Sequence, residues 1–275
     1  MTPREDRTRT SVLKTRIVTT LRRRTFQSLW ARLHHLSMIG MNFWAATVEE
    51  SGELNALAYA SRKLNDPDQI MVFDIGANVG QFAFAAIQAL GARAHVHAFE
   101  PSARTFHILT DNIAAHGLGE RITPHRLGLG SQDETARLYS SGAGAPIASL
   151  YPLRNPLQAF DQAFSETVEI TTLDGFCALH GVARIDYLKM DIEGHELFAL
   201  NGAVRLLAER RIRFVQFEFG EANIDSRTYF RDFHQLLGTD YDLYRIVPDG
   251  LQPLAGYSAE LEIFATINYL AELKR

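Results

Sequence analysis

The stretch that decides the fold is Val72-Phe73-Asp74-Ile75-Gly76-Ala77-Asn78-Val79-Gly80. It begins as an apolar strand, turns through two glycines and leads into a helical pattern that begins near Gln81. Glycine is needed where the backbone takes a positive φ or passes close to a ligand. Gly76 and Gly80 therefore predict a turn that holds a ligand against the main chain.

A carboxylate follows this turn at the end of the next strand, where His95–Phe99 leads into Glu100. A carboxylate there is suited to bind both ribose hydroxyls of a nucleoside. The turn reads G-x-x-x-G, whereas a dinucleotide fingerprint reads G-x-G-x-x-G. The amino-acid end of S-adenosylmethionine carries an ammonium, which an acidic side chain serves better than bare amides do. The residues predicted to bind this cofactor here are Asp74, Gly76, Asn78, Gly80 and Glu100.

Short apolar strands then alternate with helical patterns, which is the signature of a mainly parallel, doubly wound sheet. The predicted strands are 70–74, 95–100, 122–129, 167–171, 185–191 and 213–219, and the predicted helices are 81–90, 103–115, 195–209 and 228–237. Two further strands, 242–247 and 262–268, predict a terminal antiparallel pair, as expected for a methyltransferase. The fold class predicted is therefore α/β, a Rossmann-like methyltransferase fold with an N-terminal helical extension.

The first 66 residues are predicted to be an N-terminal tail and helical extension, and residues 67–275 the S-adenosylmethionine-dependent methyltransferase domain. Apolar residues in 12–38 recur at helical spacing with arginines between them. We expect this segment to pack on the main domain or on a second subunit, with membrane-surface contact as the alternative. A further helix is predicted over Ser51–Lys63, with Ser51 as its N-cap.

Composition excludes several classes of protein. The chain has 275 residues, of which 46% are hydrophobic, and no run approaches the length of a transmembrane segment. Its net charge is -4 although residues 1–37 are basic, so the remainder is strongly acidic and no nucleic-acid partner is expected. Cys177 is the single cysteine, and no secretory signal is recognised, which predicts a cytoplasmic protein.

The chain resembles the FkbM-type methyltransferases over roughly residues 38–270. The matching motifs are Ser51-Gly52-Glu53, Phe73–Gly80, Phe99-Glu100-Pro101, Thr172-Leu173-Asp174, Leu188-Lys189-Met190-Asp191-Ile192-Glu193-Gly194-His195-Glu196 and Phe217-Glu218-Phe219. The Lys-x-Asp-x-Glu-Gly segment discriminates best, because many methyltransferase families share the glycine turn. The resemblance implies S-adenosylmethionine as donor and a hydroxyl of a sugar, glycan or secondary metabolite as acceptor.

Methyl transfer to a hydroxyl requires in-line geometry and a base or a metal ion that handles the hydroxyl proton. Asp191, His195 and Glu218 are the candidate bases at the carboxyl edge of the sheet, and Asp191 is alternatively a cofactor ligand near the sulfonium. Asp191, Glu193 and Glu218 could instead hold a divalent cation. Ser131, with its neighbour Gln132 as the alternative, is predicted to meet the adenine.

Other readings stay open at this point. Lys189 is interpreted as a solvated or ion-paired strand lysine rather than a catalytic one. Residues 140–160 form a loop long enough to be an acceptor lid. The competing functions are a binding or scaffold protein that kept this fold without catalysis, and a nicotinamide-dependent oxidoreductase, which the glycine spacing disfavours.

Overall fold

The computed structural model describes residues 18–45, 47–64, 69–140, 148–152 and 164–275. Contacts group the chain into two units, one ending at Phe43 and the other covering Trp44–Arg275. In its described part the first unit contains helix α1 (Gln27–Gly40), which a 3-10 turn at Arg24–Phe26 precedes. The division lies earlier than the predicted boundary at 66/67. None of the helices in the described residues is long and apolar enough to cross a bilayer.

Strands and helices alternate along most of the second unit. In chain order the strands are β1 (Ile70–Ile75), β2 (Ala94–Phe99), β3 (Ile122–His125), β4 (Gly128–Leu129), β5 (Glu134–Ser140), β6 (Ala148–Ser149), β7 (Phe164–Thr171), β8 (Ile185–Met190), β9 (Ile212–Phe219), β10 (Tyr241–Val247), β11 (Gly250–Pro253) and β12 (Ile267–Leu273). The helices are α2 (Val48–Ser51), α3 (Glu53–Lys63), α4 (Gln81–Leu90), α5 (Ala103–Ala115), α6 (Leu173–His180), α7 (Glu196–Asn201), α8 (Val204–Ala208), α9 (Ala222–Ser226) and α10 (Phe230–Leu237).

Among the described residues, eight strands form the main sheet in the order β11-β10-β12-β9-β8-β1-β2-β3. The five strands from β9 to β3 in this order are parallel, whereas β12 lies antiparallel between β9 and β10. Every residue of β8 is buried, as expected for a parallel strand that is covered on both faces. The predicted α/β class, with a mainly parallel sheet and terminal antiparallel strands, is confirmed.

One buried cluster fixes the sheet against its helices. Leu57 of α3 and Ala83 of α4 are fully buried together with Val72 and Val96 of the sheet. Because β9, β8, β1 and β2 are neighbours and run in one direction, their carboxyl ends meet at one edge of the sheet. Ligands of open α/β sheets bind at this edge.

A smaller sheet with the order β4-β7-β5-β6 was not predicted as a sheet of its own. The predicted strand 122–129 is wrong as a single element, because β3 pairs with β2 in the main sheet and β4 pairs with β7 in the small one. Strand β5 escaped prediction because its sequence, Glu-Thr-Ala-Arg-Leu-Tyr-Ser, is largely polar and only its leucine is buried.

Three further elements differ from prediction at their boundaries. The helix predicted over 51–63 is broken by Gly52, which has a φ of 87° and separates α2 from α3. The helix predicted over 195–209 is broken into α7 and α8. The last strand lies at 267–273 rather than 262–268, because the Glu262 carboxylate accepts hydrogen bonds from Phe230 N and Arg231 N at the start of α10.

Candidate active site

The turn between β1 and α4 passes very close to the end of β8. Gly76 has a φ of 78°, and a Cβ atom on it would lie 1.9 Å from the carbonyl oxygen of Asp191. The N–H groups of Gly76 and Ala77 donate to the carbonyl of Phe99 at 3.0 and 2.9 Å. The turn is therefore fixed to β8 on one side and to β2 on the other, and only glycine fits at position 76.

Glu100 follows β2 and is 6% exposed. Its Oε2 accepts a hydrogen bond from Asn78 N at 3.1 Å, and its Oε1 accepts one from Ser102 N at 2.9 Å. Burial raises the pKa of Glu100 to about 7, against the effect of these two N–H donors. Each oxygen can accept a second hydrogen bond, so the carboxylate is oriented and still able to bind a diol.

A pocket opens at the carboxyl edge of the main sheet and collects most of the predicted site residues. Its lining includes Gly76, Asn78, Glu100, Asp191, His195 and Glu218. Three predicted cofactor residues lie outside this lining, namely Asp74, Gly80 and Ser131. The Asp74 side chain is fully buried, and Ser131 is exposed. Direct contact of these three with the cofactor stays a prediction that their placement does not support.

Lys189 lies beside Asp74 and contacts two carboxylates. Its Nζ lies 3.5 Å from Asp74 Oδ1, 3.4 Å from Asp191 Oδ2 and 5.4 Å from the centre of the Phe82 ring. The side chain is 6% exposed. Burial lowers the pKa of Lys189, but the carboxylates of Asp191, Asp74 and Glu53 together outweigh it. Lys189 is therefore a buried ammonium, and the prediction of an ion-paired strand lysine describes it better than a solvated one.

Glu53, at the start of α3, brings another carboxylate to the pocket. Ser51 Oγ donates to Glu53 Oε2 at 2.8 Å, and the Gln216 amide donates to Oε1. The Tyr187 hydroxyl in turn donates to Gln216 Oε1. Burial raises the pKa of Glu53, and the charge of Lys189 opposes this rise. The Ser51-Gly52-Glu53 motif is visible in the sequence, but nothing local indicates that Glu53 reaches the pocket.

The turn between β8 and α7 brings Glu193 and His195 into the lining of the pocket. Glu193 and Gly194 have φ values of 53° and 93°. Glu196 Oε1 accepts hydrogen bonds from Ile192 N at 2.8 Å and from Gly194 N at 3.3 Å. Ser149 Oγ donates to the Glu193 carbonyl at 3.0 Å. These hydrogen bonds hold the backbone of the turn from both sides.

His195 is oriented by an aromatic neighbour on each side. Its Nδ1 lies 2.8 Å from the Tyr151 hydroxyl, and its ring stacks on Phe198 with centroids 4.8 Å apart. Burial lowers the pKa of His195 to about 4, so the imidazole is neutral at pH 7. Tyr151 belongs to the predicted lid, residues 140–160, most of which lies outside the described residues.

Glu218 stands near the end of β9, opposite Asn268 of β12. Burial raises its pKa well above the usual value, and the charges of Asp191 and Glu193 raise it further. Burial also raises the pKa of Glu193 to about 8. Within the described part of the chain, no group of three or more His, Cys, Asp or Glu side chains could hold a metal ion. The alternative cation site at Asp191, Glu193 and Glu218 stays a prediction.

The model of the FkbM methyltransferase domain matches residues 74–245 of this chain. The chain belongs to the FkbM methyltransferase domain family. Glu53 and Asn268 lie outside the matched range, yet both line the pocket. The pocket of this FkbM protein is therefore completed by segments on both sides of the family core.

Two curated proteins are similar to this FkbM protein. Hexuronic acid methyltransferase AglP of Haloferax volcanii is 27% identical over 169 residues, which cover 62% of this chain and 64% of the relative. Methyltransferase 1 of Beauveria bassiana is 27% identical over 149 residues, which cover 50% of this chain and 59% of the relative. The chain thus spans less than two thirds of the length of either relative.

Among solved structures, an O-methyltransferase from Bacillus cereus in complex with SAH is 11% identical, with a TM-score of 0.45 and coverage of 88% of both chains.

Proposed function

We propose that this FkbM protein is an S-adenosylmethionine-dependent O-methyltransferase that methylates a hydroxyl of a sugar, glycan or secondary metabolite. The observation that carries the proposal is the charge of the pocket. Its acidic lining residues are Glu53, Glu100, Asp191, Glu193 and Glu218, and Lys189 is the only Lys or Arg among the described lining residues. Such a lining offers carboxyl oxygens to a sulfonium and an ammonium, whereas one cationic side chain is a poor match for the pyrophosphate of a nicotinamide dinucleotide.

The cofactor is expected to lie across the carboxyl ends of β2, β1 and β8. Glu100 binds the ribose hydroxyls, and the glycine turn at Gly76 lets the cofactor approach the main chain. Asp191 binds the ammonium of the amino-acid end, and Lys189 binds its carboxylate. Asp74 then acts indirectly, because it holds Lys189 in place through the buried ion pair.

In the reaction, the acceptor oxygen attacks the methyl carbon, the carbon–sulfur bond breaks, and the sulfur keeps the electron pair. The hydroxyl proton passes to a base. Glu218 is the base that we favour: burial together with Asp191 and Glu193 makes its carboxylate a stronger base than an ordinary one, provided that it has lost its own proton before the acceptor reacts. His195, held by the Tyr151 hydroxyl, contributes a hydrogen bond to the acceptor, since its low pKa makes it a weak base.

A sugar is the acceptor class that we favour, with Glu218 in the same pocket to receive the hydroxyl proton. The name of the Haloferax volcanii relative, a hexuronic acid methyltransferase, supports a sugar as the acceptor class. We infer that the reacting group of the acceptor is a hydroxyl.

The test is calorimetric titration of the protein with S-adenosylmethionine, S-adenosylhomocysteine and NAD. We expect both sulfur compounds to bind and NAD not to bind. Glu100→Gln should weaken S-adenosylhomocysteine binding by about tenfold or more, because an amide cannot accept from both ribose hydroxyls. Glu120→Gln, an exposed position, is the matched control. If neither sulfur compound binds, the proposal is contradicted. If both bind but no methyl group is transferred to any sugar acceptor, a scaffold role is favoured.

A further inference from the structure

The described helix of the first unit presents apolar side chains to solvent. Leu29, Leu33 and Leu36 follow one another at helical spacing on α1 and are 48%, 45% and 63% exposed. Trp30 and Ile39 beside them are 38% and 54% exposed. A contiguous apolar stripe of this kind marks a surface that binds a partner or a membrane.

The same segment is basic and contains no carboxylate. Residues 18–43 include Arg22, Arg23, Arg24 and Arg32, all exposed, and neither Asp nor Glu. The indole N–H of Trp30 donates to the Leu21 carbonyl at 2.8 Å. This bond holds the triple-arginine turn beside the first turn of α1. Apolar and cationic side chains are therefore fixed next to each other on one short segment.

We propose that residues 18–40, hereafter the basic segment, dock the protein on an anionic lipid surface. The 14 residues of α1 extend about 21 Å, which is too short to span the apolar core of a bilayer. Lying flat, the helix places its leucines among the acyl chains and its tryptophan at the headgroup level. The arginines pair with lipid phosphates, for which the guanidinium fork is suited.

Charge disfavours the pairing of two basic segments from two copies of this chain. Two basic segments packed on each other would place four arginines of one copy against four of the other, and residues 18–43 contain no carboxylate to neutralise them. An anionic bilayer supplies that neutralisation at every point of contact. The part of the chain after residue 40 is acidic and is repelled by such a surface.

The full-length protein should be sedimented with phosphatidylcholine vesicles and with vesicles that also contain phosphatidylglycerol. We expect it to bind the anionic vesicles about tenfold or more tightly, and this preference should shrink as salt rises. Two variants test the two parts of the surface. Arg22→Gln/Arg23→Gln/Arg24→Gln should weaken the preference for anionic lipid several-fold, and Leu33→Glu/Leu36→Glu should abolish binding to both vesicles.

Leu179→Glu is the matched control, since Leu179 on α6 is an exposed leucine (82%) far along the chain from the basic segment. It should bind vesicles as the unmodified protein does. Unchanged thermal unfolding midpoints show that each variant is folded. Equal binding to neutral and anionic vesicles, or none to either, overturns the proposal. The proposal is also overturned if the protein does not bind vesicles and gel filtration shows a dimer that Leu33→Glu/Leu36→Glu converts to a monomer.

Discussion

Lys189 illustrates how one residue connects the sheet to the pocket. The parallel register sets Asp74 of β1 directly beside Lys189 of β8, so their side chains emerge on the same face of the sheet. The lysine neutralises a carboxylate that is fully buried and at the same time lies within 3.4 Å of Asp191. A change at this position therefore acts both on the stability of the domain and on the pocket.

Lys189→Met should remove the preference of the protein for S-adenosylhomocysteine over 5′-methylthioadenosine, which lacks the amino-acid end. The ratio of the two affinities should fall by about tenfold, because a charge-assisted hydrogen bond to the cofactor carboxylate is lost. Calorimetric titration with both ligands measures the ratio. Binding of 5′-methylthioadenosine should change little.

Lys189→Met also leaves Asp74 buried without its counter-ion, which destabilises a protein by about 3–5 kcal/mol. The double variant Asp74→Asn/Lys189→Met removes both charges and should recover most of this stability, while the ligand ratio stays low. Lys63→Met, which neutralises a lysine paired with Glu272, is the control. A ratio that returns to normal in the double variant means that Lys189 has only a structural role.

At this scale the sequence predicted the site in part. Gly76, Glu100, Asp191 and Glu218 follow or end strands, and the rule that strand ends share one edge places them together without coordinates. The register of β1 against β8 is not encoded locally, so the partnership of Asp74 with Lys189 could not be predicted.

At the scale of elements, Gly52 sets how α3 approaches the pocket. It separates α2 from α3 with a φ of 87°, and a Cβ atom there would lie 2.3 Å from the Val247 carbonyl oxygen. The carbonyl belongs to the backbone of β10 and cannot move aside alone. The glycine therefore allows Glu53 to begin a helix that is pressed against the sheet.

Gly52→Ala should lower the free energy of unfolding by at least about 2 kcal/mol, because it adds a left-handed non-glycine residue and a backbone clash. Gly117→Ala is the matched control, since Gly117 has a φ of 65° and open space around it. Gly117→Ala should lower the free energy of unfolding by about 1 kcal/mol, from conformational strain alone. Urea unfolding of both variants measures the difference. Equal losses contradict a role for the contact with Val247.

Two of the errors in predicted element boundaries involve carboxylates that bind helix ends far away in sequence. Asp174 accepts hydrogen bonds from Arg205 N at 2.8 Å and from Leu206 N at 3.0 Å, so a new helix begins there and the predicted helix 195–209 is broken. Glu262 does the same for α10. Local propensity predicts such residues as caps of their own helices or as parts of strands.

At the scale of the whole molecule, the pocket brings several carboxyl groups together, and some of them keep their protons near neutral pH. Burial raises the pKa of Glu100 to about 7 and that of Glu193 to about 8. As pH rises through these values the groups lose protons and the pocket becomes more negative. The sulfonium of S-adenosylmethionine gains from this change, whereas the neutral thioether of S-adenosylhomocysteine does not.

The affinity for S-adenosylmethionine relative to S-adenosylhomocysteine should therefore rise between pH 6 and pH 8.5, as Glu100 and then Glu193 lose their protons. Calorimetric titrations at intervals across this range provide the comparison. Glu193→Gln should flatten the rise, while the control Glu120→Gln should preserve it. Parallel pH profiles for the two ligands would mean that these carboxyl groups do not sense the sulfonium.

The position of β12 has a consequence for the assembly of the pocket. β12 follows both β9 and β10 in the chain but separates them in the sheet, and it brings Asn268 opposite Glu218. The pocket is therefore complete only when β12 is in place, and without β12 the edge of β9 is unpaired and open to aggregation. A ligand that binds only the complete pocket therefore also stabilises the pairing of β12 with β9.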